Sequence, residues 1–366
     1  MKRAFLKGND AVIAGALNAG CRAFFGYPIT PASEIAHDAM KAFPEAGALA
    51  IQAESEVAAI NMLYGAAATG TPAMTATSGP GFSLMQEGIS YMAAARLPGV
   101  IVDIMRSGPG LGNIAPEQGD YLVATRGGGH GHYHTPVLAP ASVSEMFDLT
   151  QAAFEIAFKY KSPVIVLADA FIGQMMETLE IPDTLQDANR TPDKRYPLEN
   201  AVHGDENTFG HVVSSLELVP EKLHLKNNER FKDYAAIEQD LPPEFMSQID
   251  FPDEMVCDTL VIGFGICARM AHEAVIQARK TGKNIGFFRP RVLWPFPKKQ
   301  LISCLEKVKQ IVVVECNRGQ MLEDVERIVY RYRNDIQIQA IQMDGGLIPT
   351  TDSILQSLLK PSSDLD

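Results

Sequence analysis

The sequence predicts an α/β protein in which a parallel-sheet domain is followed by a smaller α/β domain. Helix-like and strand-like segments alternate from residue 8 to about residue 180, as expected for a chain of β–α units. The strand-like segments GVIVDIM and PVIVLAD are mostly apolar and lack polar alternation, which is typical of parallel strands covered by helices on both faces. A second alternating series begins at DTLVIGFG.

The elements of the first series follow from apolar spacing and from their end signals. Segments with helical spacing or with many small residues are predicted as helices: DAVIAGALNAG, PASEIAHDAMKAF, SEVAAINMLYGAAATG, SLMQEGISYMAAAR and SVSEMFDLTQAAFEIAFKY. Short apolar runs between them are predicted as strands: RAFFGYP, ALAIQA, PAMTAT, GVIVDIM and PVIVLAD.

The second series is shorter. Strands are predicted at DTLVIGFG, NIGFFRP, QIVVVEC and QIQAIQM, and helices at a segment ending in ARKTG, at PKKQLISCLEKV and at QMLEDVERIVYRYR. Between the two series the composition becomes polar and rich in Pro and Asn, which indicates a linker with a helical piece. We therefore predict domains at residues 1–182 and 251–366, with a linker or insertion at 183–250.

Composition narrows the classes of function. A chain of 366 residues suits two domains, and its formal charge of −12 argues against a nucleic-acid or anionic-membrane partner. No apolar stretch approaches the length of a membrane span, so we expect a cytoplasmic protein. The five cysteines never form C-x-x-C, so we expect neither a disulfide framework nor a metal site in this chain.

The motif YPITP carries the first candidate site residue, Thr30. A threonine before a proline can cap a helix that starts at Pro31. The same position follows a predicted strand and precedes a helix, where open α/β sheets bind ligands. Both interpretations stand on the motif alone.

Two acidic residues, Glu54 and Glu56, open an otherwise apolar helix in QAESEVAAINML. Either could simply favour the helix dipole. A carboxylate that enters such a helix would instead be partly desolvated, which suits it to hold or transfer a proton. Position does not choose between the two residues.

Two glycine-rich turns follow predicted strands. Ser78-Gly79-Pro80-Gly81 could cradle a phosphate or let a flat ring approach the backbone, although it matches no standard phosphate motif. Arg106 ends an apolar strand before SGPGLG and could bind a carboxylate or phosphate with two donors. The alternative for Arg106 is an ion pair with Glu117 or Asp120.

Two further motifs favour structural interpretations. His130, His132 and His134 in GGGHGHYH could imitate a metal site, but the glycines argue for a loop. GFGICA matches G-x-G-x-x-A, but the next strand lacks the acidic residue that nicotinamide-dinucleotide sites use. We expect it to be a turn that packs a helix against a strand.

Taken together, GYPITPASE, QAESEVAAINMLYGAA, TSGPGFSLMQEGISY, MRSGPGLG, GGGHGHYHTPVLAPASVSEM and VECNRGQM resemble the alpha subunit of the 2-oxoacid:ferredoxin oxidoreductases. The resemblance covers nearly the whole chain, and it is strongest to the 3-methyl-2-oxobutanoate and 2-oxoglutarate group. It implies a pyrimidine-type thiamine diphosphate-binding domain joined to a smaller domain like the C-terminal domain of transketolase.

The resemblance also implies roles for single residues. Glu56 matches the glutamate that hydrogen-bonds the aminopyrimidine ring, Thr30 the threonine that touches substrate and cofactor, and Arg106 the arginine that receives the 2-oxoacid carboxylate. These three are the implied catalytic residues. The implied cofactor-binding residues are Tyr27, Pro28, Ile29, Thr30, Glu56, Ser78, Gly79 and Pro80.

The remaining parts are expected on other chains. The family's Gly-Asp-Gly motif, which holds the diphosphate through Mg²⁺, belongs to the beta subunit and is absent from this sequence. The iron–sulfur cluster is expected on partners, with gamma and ferredoxin-like delta subunits as candidates. Ferredoxin is the expected acceptor and coenzyme A the co-substrate, with a branched-chain 2-oxoacid favoured over 2-oxoglutarate. The alternatives are a non-catalytic subunit of such a complex and a nicotinamide-dependent oxidoreductase.

Overall fold

A computed structural model describes residues 2–182, 199, 201–204, 206–252 and 256–360. Most of the predicted linker before residue 200 lies outside these residues.

The helices cover both faces of two sheets. In chain order they are α1 Gly8–Asn18, α2 Ser33–Glu45, α3 Glu56–Ala68, α4 Pro80–Ala94, α5 Tyr121–Arg126, α6 Val143–Tyr160, α7 Ala170–Gln174, α8 Pro220–Asp240, α9 Pro243–Met246, α10 Gly265–Arg279, α11 Lys298–Ser303, α12 Gln320–Tyr332 and α13 Thr351–Leu359.

The strands are short, and those at the centres of the sheets are fully buried. They are β1 Lys2–Lys7, β2 Ala23–Gly26, β3 Leu49–Gln52, β4 Ala73–Thr77, β5 Gly99–Met105, β6 Val137–Leu138, β7 Pro163–Asp169, β8 Met176–Ile181, β9 Ser247–Asp250, β10 Thr259–Gly263, β11 Ile285–Pro290, β12 Val292–Trp294, β13 Gln310–Glu315 and β14 Gln337–Gln342.

The larger sheet has the strand order β12-β6-β7-β5-β4-β2-β3 among the described residues. All its pairings are parallel except that of β12 with β6. Every residue of the central strands β5 and β7 is buried, because helices pack on both faces of the sheet. The predicted parallel α/β fold class is confirmed.

The smaller sheet has the order β14-β13-β10-β11-β9, and only the pairing of β9 with β11 is antiparallel. The two sheets exchange edge strands along the chain: β9 precedes residue 251 yet joins the smaller sheet, and β12 follows it yet joins the larger one. A separate antiparallel pair, β1 with β8, was not predicted. The boundaries 1–182, 183–250 and 251–366 stay a prediction.

The helical piece of the predicted linker is α8, which packs on the larger domain. Its Tyr234 and Ile237 are buried, and Arg96 donates to the carboxylates of Glu229 at 2.9 Å and Asp233 at 2.6 Å. This part of the insertion is therefore a fixed layer of the domain.

Several predicted helix limits differ from the observed ones, including the start of α4 at Pro80 and the limits of α2 and α11. Helix α2 begins at Ser33, and Thr30 does not cap it, because side chains hold the preceding carbonyls outside the helix: Arg106 donates to Thr30 O and Asn9 to Pro31 O. Helix α11 ends at Ser303, where the predicted PKKQLISCLEKV helix would have continued.

No helix in the described part of the chain is long and apolar enough to cross a membrane.

Candidate active site

A cleft of about 770 Å³ opens where the two sheets meet. Its walls come from residues that follow the carboxyl ends of parallel strands: Gly79 and Pro80 after β4, the segment from Arg106 to Leu111 after β5, Asn317 and Arg318 after β13, and Asp344 after β14. Open parallel sheets bind ligands at this edge. The cleft is therefore the candidate active site.

The turn after β4 is shaped for close approach. Gly79 has a φ of +43°, which favours glycine, and Pro80 is the first residue of α4. The aliphatic part of Arg106 packs against Gly79, since a Cβ built there would lie 3.4 Å from the Arg106 Cγ. Two of the predicted cofactor-binding residues, Gly79 and Pro80, thus share the cleft wall with Arg106.

Arg106 is half-buried and holds two loops together. Its Nη1 donates to the carbonyl of Thr30 at 2.8 Å and its Nη2 to the carbonyl of Leu111 at 3.0 Å, while its Nε is buried without a partner in the described chain. Neither Glu117 nor Asp120 forms a close ion pair with Arg106 in the described chain, although the Arg106 charge acts on the Asp120 carboxylate. Glu117 instead accepts from the backbone N–H groups of Gly108 and Gly345.

Glu56 and Glu54 lie in different environments. Glu56 is the first residue of α3 and is 5 % exposed, whereas Glu54 precedes the helix and is exposed. Ser55 is the N-cap, and its hydroxyl accepts from Ala58 N, so the helix start does not require either acid. The buried carboxylate therefore calls for an explanation other than capping.

The Glu56 carboxylate faces the start of α4. A Cβ added to Gly81 would overlap both the Glu56 carboxylate and the Thr77 hydroxyl. Three buried hydroxyl oxygens nearby along the chain, those of Thr75, Thr77 and Ser78, have no hydrogen-bond partner in the described chain. Buried polar atoms are normally paired, so unpaired ones at a strand end point to a ligand.

Gly81→Ala is expected to destabilise the chain by about 1–3 kcal/mol, because the added methyl group must displace the buried Glu56 carboxylate or Thr77 hydroxyl. Thermal unfolding of the purified chain measures this effect. Gly65→Ala is the matched control: a Cβ there meets nothing within 4 Å, so alanine in this helical position should raise stability slightly. Equal melting temperatures for the two variants would contradict the close packing at Gly81.

The remaining predicted residues lie around the cleft rather than in its wall. Thr30 is exposed and adjoins the site through its bond to Arg106, and Ser78 is fully buried. Tyr27 is 39 % exposed, and Ile29 packs on the core of the larger domain beside Pro28. Glu56 is not in the cleft wall.

Sequence reasoning missed the contribution of the smaller domain. Asn317, Arg318, Gln320 and Asp344 line the cleft. Gln320 is fixed by two bonds across the interface, accepting from Leu122 N and donating to Gly119 O. The signal was present in VECNRGQM, where polar residues follow an apolar strand.

The interface itself is joined by Gln118, which is fully buried. Its backbone N–H donates to Cys316 O at 2.8 Å, its side-chain oxygen accepts from Cys316 N, and its amide donates to Phe264 O. The segment around Gln118 is thus hydrogen-bonded to the ends of β10 and β13, which lie far away in sequence. These bonds fix the two walls of the cleft relative to one another.

The GFGICA turn is a packing turn. Gly265 has a φ of +54°, and the Asp169 carboxylate fills the space above it while accepting from Ile266 N at 2.8 Å. A dinucleotide pyrophosphate would need this same helix N-terminus. The geometry thus argues against the nicotinamide alternative.

The three histidines separate. His130 and His132 are exposed, while His134 stacks on Trp294 with ring centroids 4.6 Å apart. Burial, with a smaller effect of the Arg126 charge, lowers the pKa of His134. No group of three or more His, Cys, Asp or Glu in the described ranges is arranged to hold a metal ion.

Comparison with known families matches both parts of the chain. Residues 14–244 match a family described as pyruvate flavodoxin/ferredoxin oxidoreductase, thiamine diphosphate-binding. Residues 257–354 match pyruvate:ferredoxin oxidoreductase core domain II.

Individual proteins of known family are similar to this chain along most of its length. The ketoisovalerate oxidoreductase subunit VorB of Methanothermobacter thermautotrophicus is 46% identical over 366 residues, covering 100% of this chain and 99% of the relative. The solved 2-oxoglutarate:ferredoxin oxidoreductase of Magnetococcus marinus is 28% identical with a TM-score of 0.84, over 97% of this chain and 64% of its own. A split-gene transketolase, 13% identical with a TM-score of 0.59 over 99% of both chains, shares the fold.

These matches extend over both sheets and over the turns that form the cleft. The chain belongs to the 2-oxoacid:ferredoxin oxidoreductase family, as an alpha-type subunit.

Proposed function

We propose that this chain supplies the pyrimidine-side half of a thiamine diphosphate site in a cytoplasmic enzyme that oxidatively decarboxylates a branched-chain 2-oxoacid. The products are the acyl-coenzyme A and carbon dioxide, with electrons passed to ferredoxin. The observation that carries the proposal is the buried Glu56 carboxylate, which neither caps its helix nor faces solvent.

The residues present fit this cofactor. The unpaired hydroxyls of Thr77 and Ser78 and the Glu56 carboxylate offer polar contacts to a heteroaromatic ring, and the missing side chain of Gly81 lets the Glu56 carboxylate and the Thr77 hydroxyl lie against the backbone. The proposed cofactor-binding set is the one that the family resemblance implies: Tyr27, Pro28, Ile29, Thr30, Glu56, Ser78, Gly79 and Pro80. Thiamine diphosphate, when bound, supplies the carbon nucleophile and the electron sink for decarboxylation.

The chain's own side chains bind, orient and hold protons. Glu56, in its desolvated position, would accept a proton from the aminopyrimidine ring of the cofactor or share one with it. Arg106 offers a planar guanidinium at the cleft wall to the carboxylate of a 2-oxoacid. Arg106 also holds the backbone of Thr30 through its carbonyl, which fixes the YPITP turn beside the cleft.

The branched-chain preference rests on the similarity to ketoisovalerate oxidoreductase subunits. The ketoisovalerate oxidoreductase subunit VorB matches this chain along its whole length, whereas the 2-oxoglutarate enzyme is more distant. We therefore place 3-methyl-2-oxobutanoate first and 2-oxoglutarate second.

The site is completed by other chains. We assign the Mg²⁺ and diphosphate half to a beta subunit and the iron–sulfur cluster to partner chains, with gamma and delta subunits as further candidates. Coenzyme A is the co-substrate, as the coenzyme A bound to the Magnetococcus marinus enzyme suggests. The test is co-purification of this chain with the subunits encoded beside it, followed by identification of bound cofactor and assays of both 2-oxoacids. A complex that lacks thiamine diphosphate would refute the proposal. A complex that is inactive with both 2-oxoacids would also refute it.

Calorimetry on the separate chain provides a second test. We expect weak or undetectable binding of thiamine diphosphate with Mg²⁺, because the diphosphate half is on the partner. Adding the beta subunit should restore tight, Mg²⁺-dependent binding. Tight Mg²⁺-dependent binding to this chain alone would contradict a site shared between two subunits.

A further inference from the structure

Two aspartates outside the predicted site meet beneath the cleft wall. Asp103 lies within β5 and is fully buried, and Asp120 precedes α5 and lines the cleft. Their side chains are within hydrogen-bonding reach of one another. Asp103 Oδ1 also accepts from the backbone N–H of Gly79 at 3.3 Å.

Hydrogen-bond accounting requires a proton here. With both carboxyl groups ionised, Asp103 Oδ2 and Asp120 Oδ2 would each be buried with no donor in the described chain. Two adjacent carboxylates would also repel each other in a desolvated place. One proton on Asp103, donated to Asp120, satisfies both oxygens at once.

Burial, followed by the surrounding charges, places that proton on the inner residue. The groups facing the pair are the Gly79 N–H on the Asp103 side and Glu117 and Arg106 on the Asp120 side. Burial, followed by the Asp120 charge, raises the pKa of Asp103 well above its usual range. Burial raises the pKa of Asp120 to about 6, although the bond from Asp103 and the charge of Arg106 oppose this. At neutral pH, Asp120 is therefore the ionised member.

We propose that Asp103 and Asp120 share one proton and act as positioning residues, fixing the Gly79 turn on one side and facing Arg106 with a single negative charge on the other. The shared proton keeps that charge at one. If the proton left, the two carboxylates would repel each other, and Asp120 would be displaced against the Arg106 guanidinium, which the carbonyls of Thr30 and Leu111 hold at the cleft. The pair thus couples proton content to the geometry of the 2-oxoacid site, a step that rests on the proposed function.

The proton is tested without catalysis. Infrared difference spectroscopy between the purified wild-type chain and Asp103→Asn at neutral pH should show the carbonyl stretch of a protonated carboxyl group in the wild type only. Asparagine keeps a donor toward Asp120, so the variant should fold. A difference spectrum showing only a lost carboxylate would overturn the shared proton.

Positioning is tested in the assembled enzyme. Asp103→Asn should keep kcat/KM for the 2-oxoacid within about threefold at neutral pH, and it should lack the wild type's decline at alkaline pH, because its donor cannot be lost. Asp103→Leu, which removes the donor, should lower kcat/KM by about tenfold, mainly through KM. The same alkaline decline in Asp103→Asn, or wild-type kinetics in Asp103→Leu, would overturn the positioning role. An assembly inactive with every 2-oxoacid but retaining the infrared band would refute the proposed function and leave the proton pair standing.

Discussion

Glu56→Gln in the assembled enzyme is expected to reduce 2-oxoacid-dependent dye reduction by about 10²–10⁴-fold, the span typical of losing one positioned acid–base group. Glutamine keeps the size and much of the hydrogen bonding of this buried side chain but cannot act as a proton acceptor or donor in acid–base catalysis. Assembly and cofactor retention should therefore survive. Exchange of the thiamine C2 proton with deuterated water, followed by NMR, should slow in parallel.

Glu54→Gln is the matched control. It is the same substitution two residues earlier, at an exposed position before the helix, where an acid affects stability by only about 0.3–1 kcal/mol. Activity should stay close to wild type. If the two variants behave alike, or if Glu54→Gln is the more damaging, the catalytic carboxylate has been assigned to the wrong residue. Unchanged activity in Glu56→Gln would favour a non-catalytic subunit.

Arg106→Lys is expected to lower kcat/KM for the 2-oxoacid by about 2–4 kcal/mol in transition-state binding, or roughly 30- to 1,000-fold. A lysine ammonium is a point charge and cannot reproduce the planar pair of donors, nor can it hold the Thr30 and Leu111 carbonyls together. Steady-state kinetics with 3-methyl-2-oxobutanoate and 2-oxoglutarate measure the loss.

Arg279→Lys provides the comparison for this substitution. Arg279 also donates to two backbone carbonyls, those of Ile285 and Asp250, but it lies at the far end of α10, outside the cleft. The same chemical change there should leave KM for the 2-oxoacid unaffected. An equal rise in KM for both variants would mean that the loss reflects general destabilisation, and the carboxylate contact would have to be assigned elsewhere.

The fold was predictable where burial determines the sequence. GVIVDIM and PVIVLAD are apolar apart from one aspartate each, because helices cover both faces of the sheet, and both strands form at the predicted residues. Strands β6 and β12 were missed because two or three residues between prolines carry no period of their own. Strands β6 and β12 form because they pair with each other, and a local sequence pattern does not reveal a partner that lies far away in sequence.

The site residues divide in the same way into those with a local sequence signal and those that depend on distant contacts. Arg106 and Gly79 could be found because each comes directly after a buried strand, which is a local signal. The choice between Glu54 and Glu56 could not be made from the residues alone, because it depends on which way the helix turns against Gly81. The Asp103–Asp120 contact depends on a loop returning to β5, so neither residue stands out in sequence.

The pairing of β12 with β6 has a consequence for synthesis on the ribosome. Leu138 and Val137 pair with Val292 and Trp294, which emerge much later. Until then β6 is the open edge of the larger sheet, and unpaired edges are templates for association between chains. Closing that loop late also costs more chain entropy than a local pairing would. Chains that end before Trp294 would therefore leave the apolar edge strand β6 unpaired. Synthesis of the C-terminal half thus protects the N-terminal half against aggregation.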